Sequence, residues 1–452
     1  MRIHLIAIGG SAMHNVALAL HRAGHSVTGS DDQIREPSKS RLHSAGIAPA
    51  NEGWFPDKID RSIDIVILGM HAKSNNPELL RAVELGLTIQ SYPEFLYHRN
   101  LVQKRIVIGG SHGKTTITSM VMHAMQSNEM QFNYMVGAQL EHFDCMVRID
   151  NEPEWAIFEG DEYLSSPVDP RPKFLWYRPK IALLSGIAWD HINVFPTKEH
   201  YVQQFETFLT TIEENGHLIW CEEDQELSNL IQKLDLSHLS LIPYKTPKAV
   251  PVGPTTTEIE FEDGAKIETH LVGAHNFQNI AGARNVAQSM GMDPNDFDQA
   301  ITTFSGAARR LETLLQTDDF TLFQDFAHAP SKVRATTESI RTAFPNRQLT
   351  AVLELHTFSS LNAAFLPTYK NSLSKAHEAI VFYDPKVLES KGMPDLSIEF
   401  VQSCFCDDQS VQVITSIEEL QQKFSEIPRQ QRTVLLMTSG WFGGLNIREV
   451  FN

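Results

Sequence analysis

The chain has 452 residues, 42% of them hydrophobic and 21% charged, which is too long for one core and has the balance of an ordinary globular protein of roughly two to four domains. Its 55 acidic residues outnumber 38 basic ones, for a net charge of −17, and this argues against nucleic-acid or anionic-membrane partners, both of which need clustered Lys and Arg. The four cysteines (Cys145, Cys221, Cys404, Cys406) are too scattered for a disulfide scaffold, Met1–Ile8 reads as a strand rather than a signal peptide, and no apolar run approaches a membrane span, so a cytoplasmic location is expected.

Ile3 to Ile8 is an apolar strand ending in Gly9-Gly10, Ala12 to Ala23 a helix closed by Gly24, and His25 to Asp31 a second strand ending in small and acidic residues. A strand over Ile63–Leu68 and a helix over Asn76–Leu85, stopped by Gly86, continue the alternation. That pattern gives a doubly wound sheet, which binds ligands beyond the carboxyl ends of its strands. Gly9-Gly10 lacks a complete GxGxxG because Met13 and His14 occupy the later positions, so a nicotinamide cofactor is poorly supported. Ser30 and Asp31 fall about twenty residues after the glycine turn, where a group bonding a ribose or base sits. A nucleotide of some kind is expected, with NAD as one option.

The second segment opens with the apolar run Arg105 to Ile108, continues through Gly109-Gly110-Ser111-His112-Gly113-Lys114-Thr115-Thr116, and enters the helical stretch Ile117 to Gln126. Strand, glycine-rich turn with Gly-Lys-Thr, and helix is the arrangement that wraps a nucleoside triphosphate. The glycines let backbone N–H groups crowd around the phosphates, and the helix N-terminus adds partial positive charge. Lys114 reaches the terminal phosphates and Thr115 holds Mg²⁺. Counted from Gly110 the loop is shorter than GxxxxGK[ST], although Gly109 adds a further glycine.

Trp155 to Phe158 is a short strand that discharges into Glu159-Gly160-Asp161-Glu162. Acids at a strand end beside a phosphate loop suit Mg²⁺, which takes hard oxygen ligands; the alternative is a solvated turn. Ile181 to Gly186 is another strand, soon followed by Asp190-His191, a pair that alone reads as a satisfied loop histidine more readily than as a ligand. Leu271 to Asn279 precedes a small-residue helix over Ile280–Met290, and Asn276 offers the donor and acceptor that an adenine edge needs.

The third segment begins near Leu311. Thr321 to Phe326 is a strand ending around Asp325 and followed by His328-Ala329-Pro330, and Leu349–Leu355, Ala379–Tyr383 and Val434–Thr438 are further strands with helices between them. Arg309-Arg310 stands at the hinge, where a basic pair either closes over a phosphate or sits as a solvated linker. The expected fold class is α/β in three domains, each on a mainly parallel sheet: a Rossmann-like domain over 1–103, a P-loop ATPase domain over 104–310 and a Rossmann-like domain over 311–452.

In this order, the glycine strand with Gly29-Ser30-Asp31, Gly110 to Thr116, Glu159-Gly160-Asp161-Glu162, Asp190-His191, Gly273 to Asn279, Arg309-Arg310 and Asp325 to Pro330 resemble the Mur ligases. These are ATP-dependent amide-forming enzymes of peptidoglycan assembly. Within the family the chain is similar to the branch whose acyl donor is UDP-N-acetylmuramate. One member of that branch adds L-alanine; the other adds the recycled tripeptide L-alanyl-γ-D-glutamyl-meso-diaminopimelate. Glu162-Tyr163 with Pro170 to Phe174 and Tyr177-Arg178-Pro179, Asp190 to Phe195, and Ser439 to Leu445 resemble the tripeptide-adding member, which is the expected reading. The L-alanine-adding member carries arginines after a third-domain strand to hold the amino acid's carboxylate. Here that stretch is Leu355-His356-Thr357-Phe358-Ser359-Ser360, without arginine, and the Pro-Arg-Ser-Asn of the tripeptide-adding member is missing too.

The resemblance implies ATP and Mg²⁺, with two metal sites and Mn²⁺ as an alternative ion. Gly110, Ser111, His112, Gly113, Lys114, Thr115 and Thr116 would hold the ATP phosphates, Asn276 the adenine, Arg310 the γ-phosphate, and Asp325 the ribose or the closed-state hinge. Thr115 and Glu159 would share one metal and His191 would hold the second. His328 and His356 would bind the acceptor or take its proton. Gly9, Gly10, Ser30 and Asp31 would bind the UDP moiety, helped by His71 and Asn76. Partners are then UDP-N-acetylmuramate and a peptide or amino-acid acceptor, with the protein a monomer or homodimer. A folylpolyglutamate synthetase-like ligase is disfavoured by the separate N-terminal nucleotide domain, and a binding-only nucleotide sensor by the intact Lys114, Thr115, Glu159 and His191.

Overall fold

The computed structural model describes residues 1–140, 143–189, 194–252, 256–306, 310–406 and 410–451. Three of its sheets are mainly parallel. The first orders its strands Ser26–Ser30, Arg2–Ile6, Ile65–Leu68 and Thr88–Ser91, all parallel. The second runs Ser240–Tyr244, His217–Cys221, Ile181–Leu184, Lys104–Gly109, Trp155–Glu159, Phe132–Met135 and Val147–Arg148, with only the last pair antiparallel. The third runs Glu312–Gln316, Phe320–Asp325, Arg432–Met437, Gln348–Glu354, Glu378–Phe382 and Val411–Ile414, with only the first pair antiparallel. Two smaller antiparallel sheets cover Leu164–Pro172 and Lys248–Thr269. The α/β class expected from the sequence is the class observed.

The apolar runs that mark these strands exist because helices cover both faces of a parallel sheet. In the third sheet Leu349, Ala351 and Leu353 enter the core on one face, with Val381 beside them. Val352, Ile380 and Phe382 enter a separate core on the other face. Each strand therefore alternates between two apolar environments and reads as continuously hydrophobic.

The described chain forms two compact units. One takes Met1–Trp189, Pro196–Lys245 and Asn279–Phe304 and holds the first two parallel sheets. The other includes Thr246–Gln278 and Ser305–Asn452 and holds the third. No helix among the described residues is long and apolar enough to cross a membrane.

One element differs from expectation in a way that moves a candidate residue. The helix expected over Ile280–Met290 spans Ala274–Ser289, so Asn276 lies in its first turn and not in a preceding loop. Gly273 makes the start possible: its φ is +96°, and a Cβ there would lie 2.6 Å from Ser339 Cβ. Asn276 N then donates to Gly273 O at 2.9 Å. The six residues from Ala274 to Asn279 carry too little apolar periodicity to announce a helix.

Candidate active site

The phosphate loop sits between the strand Lys104–Gly109 and the helix Lys114–Ser127. Its glycines are required by contact as well as by dihedral angle. Gly110 has φ +115°, and a Cβ there would approach Ser185 Oγ to 2.5 Å; Gly113 has φ +69°, and a Cβ there would overlap the Asn279 amide. Ser111 is fixed from both sides, its N–H donating to Gly186 O and its Oγ accepting from Ala188 N, each at 2.9 Å. The Ser185 hydroxyl donates to the His112 carbonyl. The N–H groups of Lys114, Thr115 and Thr116 belong to the first helical turn, which has no intrahelical acceptors. Such a turn is an anion cradle.

Lys114 Nζ donates to Gly110 O and to Glu162 Oε2, both at 2.7 Å. Glu162 is almost fully buried and its other oxygen accepts from Tyr201 OH at 3.1 Å. Burial works against the Lys114 charge, but Glu162 first, then Asp161 and Glu159, more than offset it and raise its pKa. The ammonium is therefore a fixed positive charge at neutral pH. Glu159 is held at both oxygens: Oε1 accepts from Thr115 Oγ1 at 3.0 Å and Oε2 from Gly137 N at 2.7 Å. Asp161 forms an ion pair with Lys173, whose ammonium also faces the rings of Tyr163 and Tyr92 at 5.5 and 5.8 Å. Three carboxylates and two ammoniums leave this cluster net negative, and a hydroxyl beside a carboxylate is a hard-oxygen pair that suits Mg²⁺.

In the first sheet, Gly10 starts the helix Ser11–Arg22 without a side-chain cap. Gly9 N donates to Asp31 Oδ2 at 2.7 Å. Ser30 is buried, with Lys58 Nζ 3.5 Å from its hydroxyl. Asn76 is the N-cap of the helix Pro77–Glu84, its Oδ1 accepting from Glu78 N and Leu79 N; the structure gives it a local helix-starting task. Exposed His71 lines a cavity of about 250 Å³ that also touches Gly10, Ser11, Glu159, Asp161 and Lys173. The first unit thus brings the glycine turn, the helix start and the acidic strand end around one space.

The burial of Asp31 has an electrostatic consequence. Burial, and to a lesser degree neighbouring Asp32, push its carboxyl up to about 6 against the opposing hydrogen bonds from Gly9 and Gln33. A folded-state value above the unfolded one means the contribution to stability is full below about pH 4 and is lost as pH rises through about 6. Asp31→Asn should therefore raise the thermal midpoint at pH 8 and flatten its decline between pH 4 and 7. Melting curves across that range check this, and an unchanged pH profile would contradict it.

The second unit holds the remaining candidates. Asn276 Nδ2 donates to Val272 O at 2.8 Å. Asp325 accepts from Leu311 N at 3.1 Å and from Thr336 Oγ1 at 2.9 Å, tying down Leu311, whose φ is +51°. Arg310 lies over the Phe326 ring at 4.5 Å, and His328 Nδ1 lies 2.8 Å from Phe326 O. His356 Nδ1 is 3.9 Å from the buried Glu354, whose Oε2 accepts from Phe442 N at 3.0 Å and from Thr438. His191 and Arg309 lie outside the described residues, as does Asp190.

Lys173, Tyr201, Ser185 and Asn279 were not given roles by sequence reasoning, and Glu162 only a shared one among the strand-end acids suited to Mg²⁺. Glu162 was visible as part of the acidic turn, and Lys173 as part of the run Pro170 to Phe174. Ser185 lay at the end of an expected strand and Asn279 in the stretch Gly273 to Asn279, each without a role of its own, and Tyr201 carried no local signal.

A phosphate loop at one parallel sheet, a bare helix N-terminus at another and a cavity that joins that N-terminus to the acidic strand end are the features of a nucleotide-dependent enzyme of the multi-sheet α/β class. Residues 2–99 match the Mur ligase family catalytic domain and residues 108–287 the Mur ligase middle domain. The chain is 26% identical over 458 aligned positions, covering 99% of it and 97% of the relative, to the UDP-N-acetylmuramate–L-alanyl-γ-D-glutamyl-meso-2,6-diaminoheptandioate ligase of Escherichia coli K12. It is 30% identical, over 84% of each chain, to the UDP-N-acetylmuramate–L-alanine ligase of Limosilactobacillus reuteri. Its fold matches that of a murein peptide ligase from Psychrobacter arcticus with a TM-score of 0.70 at 22% identity, over 100% of this chain and 99% of the other. The chain belongs to the Mur ligase family, and it is an ATP-dependent ligase that forms a C–N bond.

Proposed function

We propose that the chain joins UDP-N-acetylmuramate to the amine of L-alanyl-γ-D-glutamyl-meso-diaminopimelate in peptidoglycan recycling. The observation that carries this reading is the near end-to-end match to a relative named for that reaction. The L-alanine ligase named above aligns over less of the chain. The stretch after strand Gln348–Glu354 also has no arginine to grip a lone amino acid's carboxylate. The higher identity to that L-alanine ligase favours a second reading, addition of L-alanine.

A carboxylate is a poor electrophile. In the proposed sequence the lactyl carboxylate attacks the γ-phosphorus of ATP, releasing ADP and forming an acyl phosphate. The acceptor's amine attacks the acyl carbon, loses its proton, and expels phosphate as the amide forms. No enzymic nucleophile is needed; the protein orients reactants and neutralises charge. Lys114 would hold the β- and γ-phosphates, joined by Arg310 at the γ-phosphate, and Asn276 would meet the adenine. Asp325 would set the hinge through Leu311. Gly9, Gly10, Ser30, Asp31 and His71 would bind the UDP-sugar, and His328 and His356 the acceptor. Thr115 and Glu159 would hold Mg²⁺, which supplies charge neutralisation at the phosphates. The three functional domains in this reading are 1–103, 104–310 and 311–452.

Phosphate release by the purified protein with ATP, Mg²⁺ and UDP-N-acetylmuramate tests the choice. Turnover with tripeptide and none with L-alanine is the expected result. The reverse would move the protein to de novo synthesis.

A further inference from the structure

The carboxyl edge of the third sheet carries a cation to which the proposed reaction gives no task. Lys391 closes the helix Pro385–Ser390, which follows strand Glu378–Phe382. Its ammonium lies 4.3 Å from the centre of the Phe358 ring, in the stretch that follows strand Gln348–Glu354. Phe358 is 50% exposed, so the ring and the cation on it form an open platform. Lys391 makes no ion pair among the described residues. Burial lowers its pKa and no neighbouring carboxylate opposes that effect. A partly desolvated ammonium that lacks a counter-charge gains when an anion arrives, because a charge-assisted hydrogen bond then replaces the weaker contact with the ring.

Its position along the sheet edge says how long that anion's carrier must be. Strands Phe320–Asp325, Arg432–Met437, Gln348–Glu354 and Glu378–Phe382 are consecutive neighbours. His328 lies just after the end of the first of them, and the Phe358 ring that carries the Lys391 ammonium lies just after the end of the third. Two steps of about 4.8 Å make roughly 10 Å between those strand ends. A single amino acid holds its amine and carboxylate within about one residue length, ~3.5 Å. A tripeptide with a γ-linkage and a long diaminopimelate side chain reaches on the order of the full distance.

We propose that Lys391 binds a carboxylate at the far end of the peptide acceptor and thereby selects a peptide over a single amino acid. His356 belongs to the same stretch, two residues before Phe358. This deepens the reading of the chain as a peptide-adding ligase and rests on it.

The test measures phosphate release for wild type, Lys391→Met and Lys391→Arg with three acceptors: the tripeptide, the same tripeptide with its diaminopimelate carboxylates amidated, and the dipeptide L-alanyl-γ-D-glutamate. The expected result is a KM for tripeptide raised ~10-fold or more in Lys391→Met. Its kcat and its KM for ATP and UDP-sugar should stay within about twofold, and Lys391→Arg should restore most of the affinity. Amidation should impose a similar loss on wild type, and Lys391→Met should be indifferent to it. An unchanged tripeptide KM, or an equal shift with all three acceptors, overturns the proposal. If wild type turns over none of them, the functional reading fails, and calorimetric titration of tripeptide into wild type and Lys391→Met decides the site alone. Equal affinity, or no binding to either, then overturns it.

Discussion

Lys114→Ala is expected to lower ATP-dependent turnover by on the order of 10³-fold or more while leaving UDP-sugar affinity within about twofold. The kinetic half follows from the placement of the ammonium, which leans back over the loop to Gly110 O from the first turn of the helix. Removing one preorganised hydrogen-bond donor aimed at developing charge costs about 10²–10³ in rate, and Lys114 brings a full charge. The binding half follows from distance in the fold: Gly9, Gly10 and Asp31 belong to a different sheet.

The same change has a structural cost that separates it from a simple active-site deletion. Glu162 is 1% exposed and Lys114 is its cation. Truncating one partner of a buried pair strands the other charge, typically at about 3–5 kcal/mol. Lys114→Ala should therefore melt lower than wild type, and adding Glu162→Gln should recover much of the loss because Tyr201 can still donate to the amide oxygen. Activity should not return in the double variant. Wild-type-like turnover in Lys114→Ala would sink the phosphate assignment, and an unchanged midpoint would show that Glu162 is not stranded.

What could be read from the sequence follows the range of the interactions. The strand–glycine–helix signature of the phosphate loop is local, and all of it lies between Arg105 and Gln126. The acidic strand end at Glu159 was readable for the same reason. The partnership of Lys114 with Glu162 joins residues 48 positions apart, and that of Gly9 with Asp31 joins residues 22 apart; neither leaves a periodicity to detect. Asn276 was placed ahead of the helix because the first turn of that helix is set by Gly273 and Ser339, not by amphipathic spacing. Lys391 was invisible because its meaning depends on a ring that the fold brings from the neighbouring strand's end.

Glu159→Gln should leave the fold intact and weaken divalent-cation use, lowering kcat/KM by ~10²–10³ and raising the Mg²⁺ concentration needed for half-maximal rate at least ~10-fold. The geometry permits the amide without rearrangement. Its oxygen can accept from Gly137 N and its NH₂ can donate to Thr115 Oγ1, the two partners that the carboxylate has now. Only the charge is lost. Gly137→Ala supplies the complementary case, since a Cβ there would stand 2.7 Å from Glu159 Oε1 and 2.8 Å from Oε2. That variant keeps the charge but pushes the carboxylate off its seat beside Thr115, so it should show the same direction of Mg²⁺ dependence with a smaller loss. Mn²⁺ titration followed by electron paramagnetic resonance, with ATP present, reads the cation directly and does not depend on turnover. If Glu159→Gln bound Mn²⁺ as wild type does, the carboxylate would be a structural tie between the phosphate loop and Gly137, and the metal would have to be held elsewhere.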